Sequence, residues 1–224
     1  MKSRTLLSVV FMILLSSVKA QTNEIWTKAV SNWETSKNVK ANYCVKSMVA
    51  GAKGYSSDYN TDGGVIEGHI LYGDSGKFKI KVERFVNKGE EFKTEGNPTK
   101  DSFEDMMHRK ENLIFAKENQ KHINIELVND ESAEVLEFKV VAKIPEYPEF
   151  VATAYINASL GIPVKVINAR YKKGKNTKGE GTVTITYEYA SAQLVVREYL
   201  EEVKIEFFGN ATFVTESYVF SEFQ

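Results

Sequence analysis

Gly64-Val65-Ile66-Glu67-Gly68-His69-Ile70-Leu71-Tyr72-Gly73-Asp74-Ser75-Gly76-Lys77-Phe78-Lys79-Ile80-Lys81-Val82 is the stretch that decides the fold. In its second half Phe78, Ile80 and Val82 alternate with Lys79 and Lys81, a period of two that sends apolar side chains to one face of a strand and lysines to the other. The first half closes with Ile70-Leu71-Tyr72, and Gly73-Asp74-Ser75-Gly76 supplies the residues of a four-residue hairpin turn between the two. The unit is an antiparallel hairpin with one dry face, and a dry face demands a cover.

The same period returns along the chain. Leu136-Glu137-Phe138-Lys139-Val140, Val164-Lys165-Val166 and Thr182-Val183-Thr184-Ile185-Thr186-Tyr187 each read as strands, as do Val39, Ala41, Tyr43 and Val45 set against Lys40, Asn42 and Lys46. Turn residues separate them at Asp62-Gly63-Gly64, Asn87-Lys88-Gly89, Leu160-Gly161-Ile162-Pro163 and the basic loop from Lys172 to Gly179. Upstream the period changes. Residues 22–37 place Ile25, Trp26, Ala29, Val30 and Trp33 on one helical stripe. A second short helix is expected from Asp101 to about Arg109, with Phe103, Met106 and Met107 on one side. The reading is mainly β (α+β), one domain over residues 21–224. It has about nine to eleven antiparallel strands in a curved sheet or incomplete β-barrel, covered by the N-terminal helix and the short inserted helix.

Residues 1–20 are read as a signal peptide. Lys2 and Arg4 precede the apolar run Leu6 to Leu15, and Val18 and Ala20 stand at the −3 and −1 positions of a cut before Gln21. The expectation is an exported soluble protein, periplasmic if its host is a Gram-negative bacterium and secreted otherwise. Loss of Lys2, Arg4 and Lys19 with the leader tips the balance of 29 basic against 30 acidic residues toward a mildly acidic mature chain, which argues against nucleic acid as a partner. The single cysteine, Cys44, cannot form an internal disulfide and reads as a buried structural thiol.

Chemistry-bearing motifs are sparse. Gly73-Asp74-Ser75-Gly76 matches the tetrapeptide around a serine-protease nucleophile, but Lys77 follows it and no suitable histidine region accompanies it, so it is read as a turn. Asp58, Asn60 and Asp62, followed by Gly63, occupy calcium-loop spacing, while His69 stands where the closing glutamate belongs; a polar surface loop and a weak calcium site both remain open. His122 falls on the wet phase of an expected strand, and carboxylates such as Glu201-Glu202 read as surface charge. Asn157 and Asn210 head glycan acceptor triplets that matter only in a eukaryotic secretory pathway. No metal and no cofactor is expected, nor any enzyme activity.

Export signal, helix and strands, with the Gly64–Val82 hairpin, the run Ala154-Tyr155-Ile156-Asn157-Ala158-Ser159-Leu160-Gly161-Ile162-Pro163-Val164-Lys165-Val166 and the closing strands from Tyr187 to Phe223, resemble the outer-membrane lipoprotein carrier (LolA/LolB-like) superfamily. That resemblance implies an incomplete β-barrel whose apolar concave side is lidded by helices and which carries or senses lipids or acyl chains. The carrier's lid-closing arginine has no counterpart in the opening hairpin, where Lys79 is the nearest chemical substitute. The functional expectation is a monomeric carrier or sensor of an apolar ligand, a lipid or acylated protein, with a membrane-associated partner. Trp26, Trp33, Phe78, Ile80, Val82, Phe138, Val166, Ile185 and Tyr187 are the expected cavity residues. The alternative is an exported interaction or structural module with a filled core.

Overall fold

The computed structural model describes residues 23–53, 63–73, 77–92, 103–104, 109–129, 133–145, 147–173, 177–190, 192–207 and 210–224. The leader, the Asp58–Asp62 loop and the tips of the Gly73–Gly76 and Lys172–Gly179 turns lie outside those residues. Helix α1 covers residues 23–36. The strands are β1 (Ala41–Lys53), β2 (Gly64–Tyr72), β3 (Lys77–Asn87), β4 (Glu90–Phe92), β5 (Phe103–Glu104), β6 (Ile123–Leu127), β7 (Val135–Ala142), β8 (Phe150–Asn157), β9 (Ile162–Lys173), β10 (Thr177–Ala190), β11 (Gln193–Phe207) and β12 (Asn210–Phe223).

All twelve described strands belong to one open sheet, in the order β4-β3-β2-β1-β12-β11-β10-β9-β8-β7-β6, with β5 beside β3. Neighbours are antiparallel, and nearly all are joined by hairpins. The Lys88-Gly89 turn between β3 and β4 carries positive φ at both residues, the two-residue geometry that suits strand twist. The exception is central: β1 pairs with β12, Cys44 opposite Phe220, so the first and last strands lie side by side.

The dry phase of this sheet and the stripe of α1 bury each other. Ile25, Trp26, Ala29, Val30 and Trp33 are all buried, against Phe78, Ile80, Phe138, Val140, Ala154, Val166 and Ile185 from the strands. At roughly 2 kcal/mol per large side chain removed from water, this stripe supplies most of what holds α1 in place. Polar ties fix its angle. Ser36 Oγ accepts from the Leu194 amide at 2.7 Å, and Asn32 Nδ2 donates to the Gly161 carbonyl at 2.8 Å. The β8–β9 turn comes so close to the helix that a Cβ on Gly161, whose φ is +63°, would stand 2.3 Å from Lys28 Cβ.

Three local expectations are corrected. The second helix expected over residues 101–109 falls largely outside the described residues, which there include only 103–104 and 109. Phe103–Glu104 is strand, and two 3-10 turns follow at Leu113–Phe115 and Lys117–His122. The second is polar throughout and has no apolar stripe to betray it; the Gln120 side chain holds it, donating to the Ile114 and Ala116 carbonyls at 2.9 Å each. His122 therefore ends a 3-10 turn and does not lie on a strand. In β1 Ala41 is buried as expected, but beyond it the inward phase is that of Cys44, with Tyr43 outside against His69. The strand count rises to twelve through β4 and β5, three and two residues long and too short to show a period.

Candidate functional site: a polar belt below an uncovered apolar trough

Helix α1 and residues 109–122 cover only part of the sheet, because the strands from β9 round to β3 are longer than the lid. Counting by twos from the last buried residues follows the inward face beyond it. Cys44 leads to Lys46, Met48 and Ala50; Tyr218 leads to Glu216, Val214 and Thr212; Tyr199 leads to Glu201, Val203 and Ile205. The register brings these into rows: Met48 beside Glu216, Val214 beside Val203, and Ile205 beside Gly179, which carries no side chain. Phe85 and Phe92 extend the face across β3 and β4, their rings 5.7 Å apart. On β10 and β11 the opposite phase is charged, with Lys178, Glu180, Glu202, Lys204 and Glu206, whereas on β1 it carries the exposed Val49. The dry–wet alternation thus outruns its cover, and its dry side stands open: Met48 is 44% exposed, Ile205 40% and Phe92 45%. An apolar concave surface of this kind attracts an apolar partner.

Between the covered core and this trough runs a belt of polar side chains. Glu111, Asn112 and Asn168 are fully buried. Asn168 Nδ2 donates to Glu111 Oε1 at 2.8 Å, and the Tyr187 hydroxyl donates to Asn112 Oδ1. Arg170 bridges two elements, with Nη2 3.1 Å from Glu111 Oε1 and Nη1 2.9 Å from Glu201 Oε1. The Tyr199 hydroxyl donates to Glu201 Oε2 at 3.0 Å, and the Tyr218 hydroxyl donates to Glu216 Oε1 at 2.8 Å; the same Glu216 oxygen lies 2.7 Å from Lys46 Nζ. Burial, reinforced by neighbouring carboxylates, raises the pKa of Tyr187, Tyr199 and Tyr218, so all three remain neutral donors. Burial works against the Arg170 cation, but Tyr199, Glu111 and Glu201 outweigh it and its pKa rises.

All nine expected cavity residues are buried, eight of them in one core cluster and the ninth, Val82, outside it. Trp26 packs on Phe115 and Phe138 at 5.3 and 5.6 Å, and its indole N–H donates to Gln120 Oε1 at 2.8 Å. Of the nine, Trp26 also lines a half-open cleft of about 570 Å³ on the outer flank of α1, with Thr27, Val30, Ser31, Glu34, Lys117 and Gln120. Cys44 is buried as expected, and desolvation pushes its thiol up to about 12. Asp58, Asn60 and Asp62 lie outside the described residues; among the described ones, no three His, Cys, Asp or Glu side chains are grouped to hold a metal. The reading of carboxylates as surface charge is corrected at Glu111, Glu201 and Glu216, which form the belt. A signal existed for two of them, since Glu201 and Glu216 stand an even number of residues from Tyr199 and Tyr218. Glu111 sits in an aperiodic segment and gave none.

No family model and no curated protein matches the chain. The chain is similar to a LolA superfamily protein. That structure, from Nitrosomonas europaea, aligns over 89% of this chain and 93% of its own, at 9% identity and a TM-score of 0.32. A structure of lipovitellin and its lipid–protein interactions aligns over 83% of this chain, which spans only 25% of that one, at 10% identity and a TM-score of 0.33. The Pseudomonas aeruginosa MucA/MucB complex aligns over 88% and 94%, at 6% identity and a TM-score of 0.24. Likenesses this distant say nothing of ligand or partner. Among the described residues no helix is long and apolar enough to cross a membrane.

Proposed function

We propose that this protein is an exported carrier or sensor of an apolar ligand, a lipid or the acyl chain of an acylated protein, and that it performs no catalysis. One observation carries the reading: the dry phase of β11, β12 and β1 continues past the lid and leaves Met48 and Ile205 exposed on the inward face. Burying such a face returns about 25 cal/mol for each Å² removed from water, and a flexible acyl chain fits a curved apolar surface without demanding directional partners. The belt closes the trough toward the core, so the ligand has a defined floor.

The test is lipid extraction and native mass spectrometry of the purified protein, followed by displacement of a fluorescent fatty-acyl probe. Ile205→Glu and Met48→Gln alter exposed positions and should leave the melting profile within about 0.5 kcal/mol of wild type while abolishing probe uptake. Probe binding that survives both changes, or a protein that takes up no lipid at all, would favour the alternative of an interaction module with a filled core.

A further inference from the structure

The belt holds three cations, and two are neutralised in place: Lys46 by Glu216 at 2.7 Å and Arg170 by Glu111 and Glu201. Arg109 differs. Its Nη1 donates to the Tyr199 hydroxyl at a long 3.4 Å, and its guanidinium carbon lies 4.7 Å over the Tyr199 ring. Its Nε is buried and meets no acceptor, and no carboxylate of the described residues lies within ion-pair distance. Arg109 is half-buried, and a cation–π contact offsets only part of the cost of partly withdrawing a cation from water with no carboxylate in direct contact.

Its position gives the missing charge a source. Tyr199 pairs with Tyr218, the next inward row is Glu201 and Glu216, and the row after that is Val203 and Val214. Rows two residues apart are separated by about 7 Å, so the first apolar row begins about 14 Å beyond the Tyr199 row, and the head of a chain lying in the trough reaches Arg109 past Glu201 and Glu216, whose charges are held by Arg170 and Lys46.

We propose that Arg109 receives the carboxylate of a long-chain fatty acid whose hydrocarbon tail lies in the trough. The inference rests on the apolar-ligand reading and adds the class of ligand. The guanidinium offers a planar fork to two carboxylate oxygens, and partial exclusion of water at the belt strengthens both hydrogen bonds.

The experiment compares dodecanoate with dodecanol, equal in tail and different in charge, by probe displacement at neutral pH. Wild-type protein should prefer dodecanoate by about ten-fold or more, the size of one charge-assisted contact. Arg109→Gln should erase that preference and leave dodecanol binding unchanged, while Arg109→Lys should retain part of it. A second reading needs no variant: carboxyl-labelled dodecanoate bound to wild type should remain ionised to a lower pH than the free acid. Equal binding of the two ligands by wild type, a preference that persists in Arg109→Gln, or a bound carboxyl that titrates like the free acid would each overturn the assignment while leaving the trough in place. Failure of both ligands to bind would overturn the carrier reading itself.

Discussion

Replacing Gly161 by alanine tests how α1 is held to the sheet. The backbone there has φ +63°, and adopting it with a Cβ costs about 1 kcal/mol. The new methyl group would lie 2.3 Å from Lys28 Cβ, more than an ångström inside ordinary contact, and neither atom is the far end of a flexible side chain. The helix must therefore withdraw, stretching the 2.8 Å bond from Asn32 to the Gly161 carbonyl and loosening Ala29, which is fully buried next to Lys28. A lost hydrogen bond of about 1 kcal/mol and a packing defect of similar size bring the total to about 3 kcal/mol. The protein contains its own control. Gly89 has φ +77°, but an added Cβ there meets nothing within 4 Å, so Gly89→Ala should cost only the conformational part, about 1 kcal/mol. Urea unfolding followed by far-ultraviolet circular dichroism gives both values. Equal losses in the two variants would show that the turn does not brace the helix and would refute the reasoning.

Three further outcomes follow from the same geometry. Glu111→Ala removes the acceptor of both Asn168 and Arg170 at a fully buried position and should destabilise by about 3 kcal/mol, whereas in an Arg170→Met background the same change should cost measurably less, as a double-mutant cycle of unfolding will show. Glu34 accepts from the Lys117 amide at 2.9 Å and lies 2.8 Å from Lys37; burial opposes its charge, but these partners outweigh it and hold its pKa below the ordinary glutamate value. Its contribution is therefore present above the unfolded glutamate range and disappears as pH falls through the folded value, so melts of wild type and Glu34→Gln should differ near neutrality and converge in acid. The Cys44 thiol, pushed up to about 12 by desolvation, should resist alkylation at pH about 8 in the native protein and react fully in denaturant; native labelling at the rate of a free thiol would contradict its burial.

Elements with a strong period were readable from the chain. The stripe Ile25, Trp26, Ala29, Val30 and Trp33 needs only helical spacing to be seen, and all five residues are buried. The inward phases of β3, β7 and β10 follow from alternation alone, because lysine, glutamate and threonine mark the wet side. What escaped were segments whose shape is set from outside. The Lys117–His122 turn is held by Gln120 and by Glu34 of α1, partners that no local pattern reveals. The belt escaped because its members violate the pattern: a charged residue on a dry phase reads as solvated until the strand opposite supplies its counter-ion. The trough depends on strand length relative to the lid, a quantity that appears only once the register is known.

The pairing of β1 with β12 also shapes how the protein reaches its native state. Every other junction between adjacent strands on the main path is a hairpin, so the β1–β4 and β6–β12 meanders can each zip up from local contacts, on the microsecond scale of hairpin closure. Joining them requires residue 44 to find residue 220, the slow, non-local event that governs the rate of such topologies. Until then two long edges, 13 and 14 residues of alternating dry and wet side chains, stand unpaired and can recruit another chain instead. The reciprocal backbone bonds between Lys40 and Gln224, at 3.1 and 2.9 Å, seal the end of that seam. A change that weakens the seam should therefore register first as loss of yield to aggregation during folding, before equilibrium stability of the finished molecule moves at all.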